Sequence, residues 1–311
     1  MSAQTRSHSI SSALSTLAHH HSVVSAWAIM LSVSHLPDVL WREVMGGTGW
    51  LIWPKVGLLV AVVFVSLFWA PLRPLRRFAL ILIVVFIASE GFTYLSQTPL
   101  WQGWFGDSSA LFSSAMLSIQ IQRLAVTLTI IAALLLMGYR RHEFYLTPGQ
   151  LDAPAEPVPL LGMRRPEPWT RFGRNFALFI SLGTLIFLFI SARPAPSALT
   201  AVVTALPAVL ALASLNAFSE EMSYRAALLG TLKDVLNPRQ AVWLSAVFFG
   251  IGHYYGVPYG PVGVVMATFL GWLMGKAILE TKGLFWAWFV HFLQDVWIFS
   301  FMAVGYVGSA G

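Results

Sequence analysis

Residues 198–232 read ALTAVVTALPAVLALASLNAFSEEMSYRAALLGTL, a mostly apolar run that contains two adjacent glutamates, Glu220 and Glu221. A membrane-spanning helix needs about 20 apolar residues, so this run predicts a helix that protrudes from the bilayer or tilts within it. A carboxylate at bilayer depth costs roughly 2.5–3.5 kcal/mol on insertion scales, and intramembrane acids commonly mark functional sites. The run therefore predicts both a transmembrane helix and a place where polar chemistry is concentrated.

The composition of the 311-residue chain is that of a protein with most of its length in the membrane. Hydrophobic residues make up 57% and charged residues only 10%, whereas soluble domains carry about 25% charged residues. The formal net charge of +6 does not indicate nucleic-acid binding, because the basic residues fall in short loops, where they set membrane topology. The lack of cysteine excludes disulfides, a cysteine nucleophile and any cysteine-ligated metal.

Apolar runs of spanning length recur along the whole chain and predict an all-α, polytopic integral membrane protein with about nine transmembrane helices. Basic residues cluster in the loops after the second, fourth, sixth and eighth spans, whereas loop 97–115 contains no Lys or Arg. The positive-inside rule places the basic loops, and with them the N-terminus, in the cytoplasm. The predicted spans are 22–36, 54–71, 78–96, 116–138, 172–191, 198–232, 239–255, 261–280 and 284–304.

The order of these segments predicts a division into five parts. A polar N-terminal tail, residues 1–21, precedes a first set of transmembrane helices, residues 22–146. Residues 147–171 are rich in proline and charge and favour a cytoplasmic connector. A second helical part, residues 172–305, carries the polar pairs of interest, and residues 306–311 form a short tail.

Three polar side chains on separate predicted spans lie at similar depths in the membrane. Glu220 is about 12 residues before the inner end of the sixth span, His253 about 13 residues into the seventh, and His291 about 8 residues into the ninth. At about 1.5 Å per residue, these depths are roughly 12–20 Å from the cytoplasmic edge. The topology therefore predicts that the three groups meet at one level.

Helical spacing pairs the other polar residues of these spans. Glu221 and Arg225 are four residues apart on one helix face, and a buried acid and base at this spacing should pair. Glu220 points about 100° away from this pair and is available for another partner. His291 and Asp295 are also four residues apart, so Asp295 can orient the imidazole or accept a hydrogen bond of its own.

A carboxylate and two histidines in a low-dielectric cavity suit the activation of a water molecule. Glu220 would act as the general base, His253 would share the water, and His291 would stabilise a developing oxyanion. The same three side chains could instead bind a divalent metal, since Glu and His are ordinary zinc ligands. The residues themselves favour neither alternative.

Three short motifs resemble, in this order, those of the CPBP family, the CAAX-protease and bacteriocin-processing intramembrane endopeptidases of the ABI domain. They are Glu-Glu-x-x-x-Arg at 220–225, Phe-x-x-x-His at 249–253 and His-x-x-x-Asp at 291–295. The resemblance covers about residues 195–305. It implies a C-terminal helical bundle of the CAAX-protease/ABI type over residues 172–305, with the activity of an intramembrane endopeptidase.

The resemblance also implies roles for individual residues. Glu220 and His253 would activate water, and His291 and Asp295 would help to stabilise the oxyanion. A metal-free glutamate mechanism with no required cofactor is favoured, and the alternative is a zinc site formed by Glu220, His253 and His291. The supporting positions of the motifs fall on Glu221, Arg225 and Phe249.

The expected partners follow from this assignment. The substrate would be a peptide or protein presented at the membrane, the lipid bilayer would surround the protein, and no nucleic acid is expected. Bacterial relatives imply a multi-pass protein of the bacterial inner membrane. Two other functions are considered: a non-catalytic scaffold, immunity or regulatory protein of the same fold, and a proton-coupled transporter with a Glu/His relay. Intact motifs argue against the first, and the lack of a clear inverted repeat argues against the second.

Overall fold

The computed structural model describes residues 21–47, 49–106, 112–196, 198–256 and 258–308. Within these ranges the chain is mostly helical, and the strands are a two-stranded antiparallel pair, β1 (Pro154–Ala155) and β2 (Glu167–Pro168). Seven of the described helices are long and apolar enough to cross a membrane. The predicted all-α, polytopic architecture is therefore confirmed. The predicted N-terminal tail, except His21, lies outside the described residues.

The candidate spans agree with most of the predicted ones. Two other predicted spans correspond to shorter helices, Ile52–Phe68 with 17 residues and Pro238–Ile251 with 14. The seven long spans are His21–Met45, Ala70–Ser96, Phe112–Leu136, Trp169–Ala192, Val202–Leu232, Pro261–Thr281 and Phe285–Gly305.

The helices are numbered here in chain order. They are α1 (21–33), α2 (Leu36–Met45), α3 (Ile52–Phe68), α4 (Arg76–Ser96), α5 (Pro99–Phe105), α6 (Phe112–Leu136), α7 (Trp169–Ala192), α8 (Ala198–Glu221), α9 (Ala227–Leu232), α10 (Pro238–Ile251), α11 (Pro261–Thr281) and α12 (Phe285–Gly308). Short 3₁₀ segments occupy Gly49–Leu51, Ala70–Leu75 and Pro159–Leu161.

The long sixth span is a helix interrupted by a π-helical segment directly after the two glutamates. Helix α8 runs to Glu221, the π segment covers Met222–Ala226, and α9 continues to Leu232. Segments of this kind are rare and are frequently found at functional sites. The widened turn carries Arg225, which is fully buried.

Helix α10 ends before the predicted span 239–255 does, so His253 lies in a turn after the helix, which corrects its predicted helical position. The backbone N–H groups of His253 and Tyr254 donate to the carbonyls of Gly250 and Ile251 at 2.9 and 3.2 Å. This three-residue spacing tightens the last turn and ends the helix. Gly252 forms the C-cap.

The chain divides into two compact units, each formed from two stretches of sequence. Unit 1 comprises the described parts of Met1–Phe86 and Ala227–Trp272. Unit 2 comprises the described parts of Ile87–Ala226 and Leu273–Gly311. The five-part division of the sequence stays a prediction.

Unit 1 contains a buried ion pair and a close helix contact. Lys55, near the start of α3, is buried and pairs with Asp38 of α2. A lysine in an apolar segment is tolerated when it is paired in this way. Gly250 lets α10 approach α11, because a Cβ at this position would lie 1.9 Å from the hydroxyl oxygen of Thr268.

Unit 2 is built around α8 and α12, which pack extensively against each other. Helix α7 packs against α12, and α6 packs against α8. Because lipid is as apolar as the side chains at these interfaces, close packing and hydrogen bonds hold the helices together. Thr184 of α7 donates to Gln294 of α12 at 2.5 Å, and Trp297 donates to Ser181 at 2.6 Å. The apolar core cluster comprises Phe112, Met116, Val209, Leu212, Ala213, Phe299 and Ala303.

The predicted connector, residues 147–171, is folded against the turn between α11 and α12. The indole N–H of Trp169 donates to Glu280 Oε2 at 2.8 Å. Gly149 has a φ of +83° and lies so close to Gly283 that a Cβ would meet its backbone at 2.8 Å. The connector is therefore attached to the end of unit 2 from which α12, with its histidine and aspartate, begins.

Candidate active site

Polar side chains from α6, α8, the π segment and α12 meet in the interior of unit 2. We call these residues the buried network. Its members are Gln120, Arg123, Asn216, Glu220, Glu221, Arg225, His291 and Asp295.

Glu221 makes the closest contact to the imidazole of His291. Its Oε1 lies 2.6 Å from His291 Nδ1 and also accepts a hydrogen bond from the Arg225 guanidinium. Because an ionised carboxylate can only accept, Nδ1 carries the proton and Nε2 is directed at the other acids. The sequence left two roles open for Asp295, to orient the imidazole or to accept a hydrogen bond of its own, and its Oδ2 is 3.6 Å from His291 Nε2. The structure thus gives the orienting contact to Glu221.

Glu220 faces the opposite nitrogen of the same ring. Its Oε2 lies 3.6 Å from His291 Nε2, a separation across which one water molecule can bridge two polar groups. The Glu220 side chain is 13% exposed, whereas that of Glu221 is fully buried. Of the two adjacent glutamates, Glu220 is therefore the one that is accessible from outside the protein.

Two residues of the buried network that sequence reasoning missed contact Glu220 or Asp295 directly. Arg123 of α6 forms an ion pair with Glu220 Oε1 at 2.5 Å and donates to Asn216 Oδ1. Asn216 in turn donates to Asp295 Oδ2 at 2.9 Å. The signals were present in the sequence, because Arg123 is a cation inside an apolar span and Asn216 lies one helical turn before Glu220.

The charges of the buried network compensate one another. Among the described residues it contains three carboxylates, two guanidinium groups and one imidazole. If all three carboxylates are ionised, the formal charges cancel when His291 carries a second proton. Buried charges persist in proteins when they are paired and hydrogen-bonded, and every charged member here has an opposite partner within 3.6 Å.

His253 belongs to unit 1 and has its own orienting contacts. Its Nδ1 donates to the backbone carbonyl of Phe249 at 2.9 Å, and the two ring centroids are 4.2 Å apart. Because a carbonyl oxygen can only accept, the proton lies on Nδ1 and Nε2 is the acceptor nitrogen of the neutral ring. Phe249, a predicted supporting residue, thus orients this imidazole.

Residues 202–297 match the family model of the type II CAAX prenyl endopeptidase Rce1-like proteins. The chain carries an Rce1-like protease segment. This segment contains every predicted site residue and lies inside the predicted resemblance over 195–305, so the resemblance to CAAX proteases is confirmed. At a general level, the match supports a membrane-embedded protease. No curated protein and no solved structure gives a significant match.

The turn after His253, still within the Rce1-like segment, is fastened to α2 by a set of side chains that we call the tyrosine clasp: Arg42, Glu43, Tyr255 and Tyr259. Both tyrosine hydroxyls donate to Glu43 Oε1, at 3.0 and 3.1 Å, and the Arg42 guanidinium lies 4.3 Å from the Tyr255 ring centroid. Desolvation, together with the hydrogen bond to Glu43 and its negative charge, raises the pKa of Tyr255 to about 12. The same causes raise the pKa of Tyr259.

The predicted alternative of a zinc site calls for Glu220, His253 and His291. Within unit 2, Glu220 Oε2 lies 3.6 Å from His291 Nε2. Within the described ranges, no group of three or more His, Asp or Glu side chains has the geometry of a metal site. The donor types are those that zinc accepts, and the zinc alternative stays a prediction.

Proposed function

We propose that the protein is an intramembrane endopeptidase that hydrolyses a peptide bond in a membrane-associated or small peptide or protein substrate. The observation that carries this proposal is the facing pair of Glu220 Oε2 and His291 Nε2, 3.6 Å apart, within the Rce1-like segment. One group can accept a proton from water, and the other can donate to a developing negative charge. These are the two requirements of amide hydrolysis.

In the proposed reaction, Glu220 takes a proton from a water molecule while the water oxygen bonds to the carbonyl carbon of the substrate. The proton then passes to the amide nitrogen as the C–N bond breaks, and Glu220 returns to its carboxylate form. His253 is proposed to hold the same water through Nε2. This role rests on the motif and on the Nδ1 contact to Phe249, which makes Nε2 the acceptor nitrogen.

The oxyanion is proposed to form beside His291. A protonated imidazole donates from Nε2 to the developing charge, and this contact is stronger in a site from which bulk water is excluded. Glu221 fixes the ring through Nδ1 at 2.6 Å, so the imidazole needs no reorientation during the reaction. Asp295, whose Oδ2 lies 3.6 Å from Nε2, supports the protonated form by its charge.

The choice of probe follows from the name of the matched family. A prenylated peptide that ends in a CAAX sequence is the first synthetic substrate to try, together with the membrane proteins of the cell. No cofactor is required on this proposal.

The N-terminus and the connector 147–171 are proposed to be cytoplasmic. The chain has no cysteine, so single cysteines placed in loop 97–115 or in the connector would report their side of the membrane by labelling.

The proposal is tested by comparing the termini of membrane proteins in cells that carry the wild type or Glu220→Gln at equal abundance. We expect a new peptide terminus with the wild type that the variant lacks, because the amide cannot accept the proton from water. In purified protein the rate should fall by about 10²–10⁴-fold. Glu90→Gln is the matched control, because it removes another glutamate of an apolar span.

Other outcomes support the alternative functions. Identical termini, together with an intact phenotype of Glu220→Gln, would favour a non-catalytic scaffold or immunity protein. Proton-coupled flux into liposomes that depends on Glu220, without any cleavage, would favour a transporter. Either result would overturn the endopeptidase proposal.

A further inference from the structure

Helix α6 presents a polar face to α8 and the π segment, although most of its length is apolar. Gln120, Arg123 and Thr127 follow one another at spacings of three and four residues, which places them on one side of the helix. Gln120 donates to Asn216 at 3.1 Å, and the Thr127 hydroxyl lies 3.2 Å from the Ser223 hydroxyl. A cation within an apolar span is costly and commonly functional, so Arg123 is the member of this face that most requires an explanation.

Arg123 engages one carboxylate oxygen of Glu220, and the second oxygen faces His291. The Arg123 guanidinium contacts Oε1 at 2.5 Å, and the Asn216 amide donates to the same Oε1 at 3.4 Å. Glu220 Oε2 is the atom that lies 3.6 Å from His291 Nε2. In the proposed general base, Oε1 is therefore held by hydrogen-bond donors, whereas Oε2 faces the imidazole that is proposed to take part in the reaction.

We infer that Arg123 is a positioning residue that fixes the carboxylate of Glu220 so that Oε2 is directed at the water to be activated. The inference rests on the proposed function of Glu220. The terminal torsion of a glutamate side chain is broad and weakly restrained. Donors on Oε1 restrict that rotation, and misplacement of a catalytic group by about 1 Å can cost roughly 10²-fold in rate.

The side chain of Arg123 suits this task for a geometric reason. One guanidinium nitrogen, Nη1, carries two N–H groups, and it donates to both Glu220 Oε1 and Asn216 Oδ1. Asn216 is itself fixed by Gln120 and by Asp295, so the guanidinium is oriented against a rigid amide. A lysine ammonium can also donate to two acceptors from one nitrogen, but its flexible stem does not hold those donors in a fixed plane, so it replaces Arg123 only in part.

The position of Arg123 in the chain gives α6 a function. The Rce1-like segment covers residues 202–297, whereas α6 covers Phe112–Leu136. The carboxylate that the proposal makes the general base is thus held by a helix outside the matched segment. An N-terminal helix of unit 2 would therefore complete the site rather than merely surround it.

The experiment uses the full-length protein in liposomes and a quenched fluorogenic peptide that spans the bond whose cleavage in cells requires Glu220. We expect Arg123→Ala to lower kcat by about 10–100-fold while KM changes by less than about threefold, because substrate binding is not altered. Arg123→Lys should recover part of kcat. Methylguanidinium should also restore part of the Arg123→Ala rate, because it supplies the charge and the N–H donors that the truncation removes.

The matched control is Gln122→Ala, which removes the neighbouring side chain of α6 that donates only weakly, at 3.4 Å, to the backbone carbonyl of Ser118. This variant should keep the wild-type kcat. If Arg123→Ala does not accumulate, Arg123→Gln takes its place with the same expected loss, since the amide keeps a donor without the charge. A wild-type kcat in the arginine variant, or an equal loss in the Gln122 control, would overturn the inference.

The proposed function and this inference fail in different ways. Cleavage that persists in Glu220→Gln would overturn the proposed general base, and the positioning role with it. Cleavage that is lost in Glu220→Gln but unaffected in Arg123→Ala would leave the endopeptidase proposal intact and remove the role of Arg123 alone. No rescue by methylguanidinium, with Arg123→Lys as inactive as Arg123→Ala, would show that the side chain supports the fold only.

Discussion

The buried network of unit 2 and the tyrosine clasp of unit 1 both hold a segment that carries a histidine, but the network is buried and the clasp is exposed. In the network, Glu221 and Arg225 are fully buried and His291 is 6% exposed. In the clasp, Tyr255 and Tyr259 are 37% and 60% exposed. Charges away from water interact strongly and are costly when unpaired, whereas contacts at the surface compete with water.

The residues proposed to stabilise the oxyanion and the residue proposed to hold the water should therefore differ in how substitutions affect them. The groups proposed to stabilise the oxyanion are fixed by a network whose members depend on one another for stability. His253 lies in a turn whose side-chain contacts are exposed, and segments of this kind open locally at low free-energy cost. Changes in the network should therefore affect folding and activity together, and changes near His253 should affect activity alone.

The largest expected effect is that of Glu221→Ala on stability. The change leaves the Arg225 guanidinium and the His291 imidazole without their shared carboxylate oxygen. Removing one partner of a buried ion pair typically costs about 3–5 kcal/mol. Unfolding of the purified protein by denaturant in micelles should show this loss, and cellular accumulation should fall accordingly.

The matched control for that change is Arg171→Ala. Arg171 and Glu167 also form an ion pair at a spacing of four residues, but their side chains are 69% and 38% exposed and 3.6 Å apart. Exposed pairs contribute about 0–1 kcal/mol, so this variant should unfold almost as the wild type does. Equal losses of unfolding free energy in the two variants would show that burial does not make the Glu221–Arg225 pair more important for stability than the exposed pair.

The next largest effect is expected for His253→Ala, and it should be confined to activity. We expect a loss of about 10²-fold or more, because the variant lacks the group proposed to share the activated water. The midpoint of unfolding should change little, since the imidazole is half-buried and its hydrogen bond runs to the nearby backbone of Phe249. His142→Ala removes an exposed histidine and is the control.

The same variant separates the glutamate mechanism from the zinc alternative. On the favoured mechanism, elemental analysis of the active wild type finds no stoichiometric zinc, and a strong chelator leaves the rate unchanged. Zinc bound in the wild type and lost together with activity in His253→Ala would establish the metal-dependent alternative.

Much of the fold and part of the candidate site can be predicted from the sequence. Because lipid offers no hydrogen-bond partners, long apolar runs form helices, in which the backbone N–H and C=O groups bond to one another. The spacing of Glu221 and Arg225 predicts their pairing, which the structure shows. Depth counted along separate spans placed Glu220 and His291 at one level, and these side chains lie 3.6 Å apart.

The remaining features depend on tertiary contacts that helical spacing does not contain. The ion pair of Arg123 with Glu220 joins residues 97 positions apart, and spacing rules connect only neighbouring turns. Spacing also offered Asp295 as one group that could orient His291, whereas Glu221 on the adjacent helix lies closer to the ring, 2.6 Å from Nδ1. The π segment and the early end of α10 arise from local backbone hydrogen bonds that an ideal helix of about 3.6 residues per turn does not anticipate.

The smallest expected effect is that of Glu43→Gln in the tyrosine clasp, and it is read from a pH titration. The pKa of Tyr255 is about 12 in the folded protein, above its ordinary value of about 10. The hydroxyl–carboxylate contact is therefore fully present below pH 10 and is lost as the pH rises through the folded-state pKa. In Glu43→Gln the carboxylate charge is absent, so the Tyr255 pKa should fall towards its ordinary value.

Tyrosinate absorbance, compared with and without Tyr255→Phe, isolates this shift in pKa. The value of kcat/KM at neutral pH should fall by less than about tenfold, because the introduced amide still accepts a hydrogen bond. An unchanged titration would mean that Glu43 does not hold the turn after His253, and a collapse of stability would mean that the clasp resembles the buried network.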